Sequence, residues 1–129
     1  MFTILTVDDE PMVCDIIANF LTKKGYCVKL ALSGEEALES IDKEKPNLVL
    51  LDVIMPGMGG EAALKEIKKN YVNLPVIMVT AVTEEIFALK LLKEGASAII
   101  SKPVDLNLLE RNISIWKMIK EHTIASVFD

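Results

Sequence analysis

Residues 48–60 read LVLLDVIMPGMGG and residues 76–80 read VIMVT. Within them, Leu48–Asp52 and Val76–Thr80 are apolar at nearly every position. A strand covered by helices on both faces has this composition, so the two segments predict the centre of a parallel sheet. Three more short runs, Thr3–Val7, Cys27–Ala31 and Ala98–Ser101, complete a set of five candidate strands. Helical patterns lie between them. From Pro11 to Lys24, Val13, Ile16, Ile17, Phe20 and Leu21 recur at helical spacing, and Gly25 stops the run. Ser33 and Glu36 form a capping box that opens a helix to about Glu44. Glu61–Asn70 places Leu64 and Ile67 on one side. Thr83 is the expected N-cap of a helix ending at Gly95. On that helix Leu89, Leu92 and Ala96 read as the buried stripe, with Phe87 and Leu91 off it. A last helix runs from about Asp105 to Glu121, with Leu109, Ile113 and Trp116 turned inward.

Strand and helix alternating in 129 residues give one α/β domain. Right-handed crossovers then select a doubly wound sheet in the flavodoxin-like order 2-1-3-4-5, with five helices. The domain is expected over residues 1–122, with 123–129 as a C-terminal tail or the start of a linker.

Composition removes several functions. With 19 acidic and 14 basic residues the net charge is -5, the wrong sign for a domain that grips nucleic acid by itself. No apolar run approaches the roughly 20 residues of a membrane span. Cys14 and Cys27 form no CxxC motif and read as free thiols, which implies a reducing compartment, the cytoplasm. The one histidine, His122, lies near the end of the last helix, far from any strand end, so nucleophilic triads and histidine-rich zinc sites are disfavoured.

Ligand chemistry in doubly wound sheets collects at the carboxyl ends of the strands. Those ends carry Asp8, Asp9 and Glu10 after the first, Asp52 at the third, Thr80 at the fourth, and Lys102-Pro103 after the fifth. Carboxylates gathered in one crevice repel one another unless a cation sits among them. A hard divalent ion such as Mg²⁺ suits an oxygen donor set and shares its sphere with phosphate. Lys102 adds a compact positive charge and Thr80 a hydroxyl donor. Together these groups suit a phosphoryl group, with Asp52 as its acceptor. Taken singly, Asp52 could satisfy backbone donors at a strand end, and Asp8 or Asp9 could cap the first helix.

The order of motifs Asp8-Asp9, the segment around Asp52, Thr80-Ala81, Gly95-Ala96 and Lys102-Pro103 resembles the receiver domains of bacterial two-component response regulators. The resemblance implies that Asp52 takes a phosphoryl group from a sensor histidine kinase or a histidine phosphotransfer protein. It implies Mg²⁺ on Asp9, Asp52 and the backbone carbonyl of Ile54, with Asp8 acting through water. Thr80 and Lys102 would hold the phosphoryl oxygens, and the Lys102–Pro103 bond would be cis. Such a domain promotes its own phosphorylation and dephosphorylation and turns over no separate substrate. Thr80 would move inward and Ile99, where receivers often carry an aromatic residue, would repack. The fourth helix, fifth strand and fifth helix would then meet a homodimer partner or an effector through Phe87, Leu91, Ile99, Pro103 and Val104. Gly59, where many receivers have Asp, should loosen the start of the third helix. Ile54 and Val82 should hinder an attacking water and lengthen the phosphoryl lifetime.

Two other functions compete. Phosphatases with an aspartyl nucleophile place a second Asp two residues later, where this chain has Ile54. A flavin or nucleotide binder would need Gly, Ser or Thr donors after the first strand, where this chain has Asp-Asp-Glu-Pro.

Overall fold

The structure, a computed structural model, describes residues 1–122. The tail expected from 123 onward lies outside the described residues. Five strands, β1 (Thr3–Val7), β2 (Cys27–Ala31), β3 (Leu48–Asp52), β4 (Val76–Thr80) and β5 (Ala98–Ser101), alternate with five helices. The helices are α1 (Pro11–Lys23), α2 (Gly34–Lys43), α3 (Gly60–Asn70), α4 (Glu85–Lys93) and α5 (Leu106–Glu121). All strand pairings are parallel and the order is β2-β1-β3-β4-β5, as expected.

The alternation of side chains along each strand divides the core into two layers. Val49, Leu51, Val76 and Met78 pack with Ala37, Ile41, Leu64, Ile67 and Leu91 of α2, α3 and α4. Leu48, Leu50, Ile77 and Ile100 pack with Ile17, Leu21, Leu109 and Ile113 of α1 and α5. Every residue of β3 and β4 is buried, so the uniform apolarity of those segments follows from their two covered faces.

Helix ends follow local chemistry. The Ser33 side chain accepts from the Glu36 amide, and that of Asp105 accepts from the amides of Asn107 and Leu108. Gly25 takes φ +96°, which lets its N–H reach Thr22 and that of Tyr26 reach Leu21 to close α1.

Four expectations need correction. In α1 the buried residues are Cys14, Ile17 and Leu21, and Ile16, expected on the inner stripe, is exposed. In α4 the inward residue is Leu91, fully buried, with Phe87 half-buried against the same layer, whereas Leu89 and Leu92 are exposed. Apolar residues at 86, 87, 89, 91 and 92 nearly encircle this helix, so spacing alone could not choose its inner face. The N-cap of α4 is Glu84 rather than Thr83, and its side chain makes no capping bond. Trp116 is half-buried at the edge of the α1/α5 layer rather than inside it.

Candidate functional site

The acidic crevice forms where β1 and β3 end side by side. Their register pairs Val7 with Leu51, so Asp8 and Asp52 leave adjacent strands at the same level. Each continues the phase of the apolar residues behind it, Asp8 that of Ile4 and Asp52 that of Leu48 and Leu50. Both stay buried. One carboxylate oxygen from each of Asp8, Asp9 and Asp52 lies within 4.8 Å of the others.

Lys102, just past β5, reaches across this group. Its Nζ stands 3.1 Å from Asp8 Oδ2 and 3.2 Å from Asp52 Oδ1. The Lys102 amide donates to the Thr80 carbonyl at 2.7 Å, which fixes the backbone from which the side chain departs. The Lys102–Pro103 peptide is cis. The other oxygen of Asp8, Oδ1, accepts the Glu10 amide at 2.9 Å. Asp8 therefore does not cap α1, whose N-cap is Glu10 without a side-chain bond. The Cys14 thiol donates to the Asp8 carbonyl at 3.4 Å, a contact that sequence spacing did not suggest.

These surroundings set the charges. Burial, and then the Asp8 carboxylate, raise the pKa of Asp52, opposed by Lys102 and the Ile54 amide. Burial acts to lower Lys102, but hydrogen bonds and charge from Asp8 and Asp52 outweigh it and the ammonium is held more firmly protonated. Three carboxylates against one ammonium leave the crevice under-neutralised. Its donor set is entirely oxygen, which fits a small hard divalent cation and suits no soft metal.

Thr80 stands apart from this contact network. It continues the phase of Val76 and Met78, on the opposite side of the sheet from Asp52, and is buried. Its hydroxyl accepts the Val82 amide at 2.9 Å, and it meets Lys102 through its backbone carbonyl. Ile54 is 62% exposed and Val82 half-buried, which gives the rim an apolar edge. Of the expected output residues, Pro103 is exposed and Ile99 and Val104 pack partly against the two core layers. Leu91 cannot be a surface contact, because it is fully buried. The outward apolar residues of α4 are Ile86, Leu89 and Leu92.

A doubly wound sheet in this order, with an acidic crevice at the carboxyl ends of β1 and β3, defines a flavodoxin-like protein of the CheY-like type. Residues 4–114 match the family model described as response regulator receiver domain, and the chain belongs to that family. A CheY-like receiver domain protein from Methanospirillum hungatei is 32% identical, with 94% of this chain and 98% of that one aligned at a TM-score of 0.86. The receiver domain of NtrX from Brucella abortus is 33% identical over 88% of this chain and 96% of that one, at a TM-score of 0.83. Against a longer NtrX chain the identity is 34%, covering 92% of this chain and 29% of that one at a TM-score of 0.82. The fold thus also occurs as one part of a larger protein. Receiver domains are signalling modules of two-component systems, and no described helix here is long and apolar enough to cross a membrane.

Proposed function

We propose that Asp52 is the phospho-acceptor, taking its phosphoryl group from the phosphohistidine of a sensor kinase or a histidine phosphotransfer protein in the cytoplasm. The carboxylate oxygen of Asp52 attacks phosphorus. The nitrogen–phosphorus bond breaks, its electron pair stays on the imidazole, and an acyl phosphate forms on Asp52. The observation that carries this reading is the Lys102 ammonium bridging Asp8 and Asp52, which keeps a cation beside the acceptor before any phosphate arrives.

Asp9, Asp52 and the Ile54 carbonyl would hold Mg²⁺, with Asp8 acting through water. When bound, the ion supplies positive charge against the phosphoryl oxygens. Lys102 would exchange one carboxylate for a phosphoryl oxygen, a short move for an ammonium on a flexible stem. Thr80 has further to go, since its hydroxyl must leave the Val82 amide to meet the same group. That displacement is the switch: it vacates volume near Ile99 and repositions α4, β5 and α5 toward a second copy or an effector. On α4 the outward residues Ile86, Leu89 and Leu92 would make that contact.

Incubation with acetyl phosphate or beryllofluoride in Mg²⁺, read by mass or by Trp116 fluorescence, tests the assignment. Modification abolished in Asp52→Asn is expected. Modification that persists in Asp52→Asn would overturn it, as would steady turnover of phosphoesters or capture of a flavin.

A further inference from the structure

Four charged side chains outside the acidic crevice alternate in sign across the gap between α3 and α4. Lys90 Nζ lies 3.0 Å from Glu61 Oε2, and Lys65 Nζ lies 3.6 Å from Glu94 Oε1 and 3.9 Å from Glu61 Oε2. Each helix contributes one acid and one base, four residues apart. The lysines are more than half exposed, but the Glu94 side chain is only 16% exposed. One oxygen of each glutamate, Oε2, is shut off from solvent and has no hydrogen-bond partner. Lys90 stands beside that oxygen on Glu61, whereas Lys65 meets the other oxygen of Glu94. The Lys90 ammonium beside it is the leading cause holding the Glu61 carboxyl below its ordinary pKa.

The helix dipole favours Glu61 in the first turn of α3 and Lys90 in the last turn of α4, but not Glu94. Glu94 is the C-cap of α4, where the negative end of the helix dipole disfavours a carboxylate. Lys65, on another helix, supplies the compensation. The rest of α4 is thinly anchored, since Leu91 is its one fully buried residue. α3, by contrast, buries Gly60, Ala63, Leu64 and Ile67. Its first residue also donates a 2.9 Å bond to the Val53 carbonyl, next to Asp52. The four charges thus tie a loosely held helix to one that begins at the acidic crevice.

We propose that Glu61, Lys65, Lys90 and Glu94 form an ionic latch that holds α4 against α3 and restrains its outward face in the unmodified protein. A contact made in one arrangement and weakened in another biases the equilibrium between them by its own free energy. The second half of this inference rests on the reading that modification of Asp52 repositions α4. The latch itself does not.

Amide hydrogen exchange across α4, referenced to α2, tests the latch in Glu61→Gln, Lys90→Gln and the double variant. Each single change should speed α4 exchange about two- to five-fold, the range set by partly exposed ion pairs. The double variant should add little to either single one. Raising salt from about 0.05 M to about 0.5 M shortens the screening length from about 14 Å to about 4 Å and should speed α4 exchange most in the unmodified sequence and less in the variants, which keep the Lys65–Glu94 pair. Exchange unmoved by both substitution and salt overturns the latch. Beryllofluoride titration in Mg²⁺ tests the coupling: tighter binding in Glu61→Gln by a similar factor is expected. Unchanged affinity alongside faster α4 exchange would refute the coupling. Failure of the unmodified protein to bind beryllofluoride would refute the coupling and the Asp52 reading together, and the exchange result would still decide the latch.

Discussion

Replacing Gly60 with alanine should damage the acidic crevice from behind. A Cβ at this position would fall 2.1 Å from the Asp52 carbonyl oxygen and 2.6 Å from Val53 Cα. Contacts under 3.0 Å are essentially never made by real Cβ atoms, so the nearest atom must retreat by 0.9 Å (3.0 less 2.1). Both obstacles are backbone, and the Gly60 amide is bonded to the Val53 carbonyl at 2.9 Å, so no side-chain rotation relieves the overlap. Overpacking of this kind costs about 1–3 kcal/mol. For a chain of this length that lowers the melting temperature by roughly 4–11 °C. The Asp52 carboxylate is displaced with its backbone, and a misplacement near 1 Å slows a positioned reaction on the order of 100-fold. The neighbouring residue is the control. A Cβ at Gly59 would meet the Val53 carbonyl at 3.7 Å and the Met55 carbonyl at 4.0 Å, both ordinary distances. Gly59 is also the N-cap of α3 and offers no side-chain bond, so Gly59→Asp should stabilise by a few tenths of a kcal/mol. Thermal unfolding, together with the rate of modification by acetyl phosphate in Mg²⁺, reads both effects. A Gly60→Ala protein with unchanged melting and unchanged modification would refute the steric reasoning.

On α4, Leu91→Ala should cost about 2–5 kcal/mol in denaturant unfolding, whereas Leu89→Ala should stay within about 0.5 kcal/mol. Equal costs would mean that the helix is rotated differently. Changing Ile54 and Val82 together to small polar residues should shorten the phosphoryl lifetime severalfold by admitting water, and a lifetime that does not move would remove the apolar rim as its cause. The Cys14 thiol is fully buried and, by burial first and then the nearby Asp8 charge, pushed up to about 11. Alkylation of the native protein near pH 8 should therefore add one group, on half-exposed Cys27, and a second only in denaturant. Rapid double labelling of the native protein would show the α1 core to be open.

The strands were legible from composition because each central one is covered on both faces. Uniform apolarity over Leu48–Leu51 and Val76–Val79 suits a strand buried between two helix layers, and the segments between are long enough for one helix each. The strand-end residues Asp8, Asp52 and Lys102 were legible for a related reason. A polar or charged group that ends an apolar run must emerge at the sheet's edge, and a parallel sheet brings all such ends to one edge. Receiver motifs in matching order then gave each group an expected role.

Rotation and pairing were settled only in three dimensions. The inner face of α4 depends on which of its many apolar residues meets Val76 and Met78, and a helix apolar on most sides carries no periodic signal to decide that. Thr80 lies at a strand end like Asp52, but the strand's two-residue alternation turns it to the other side of the sheet, where its hydroxyl accepts the Val82 amide. Glu94 and Lys65 are 29 positions apart in the chain, and each alone reads as a solvated surface charge. Their encounter follows from how α3 and α4 lie on the same side of the sheet, since ion pairs depend on distances through space that no local pattern records.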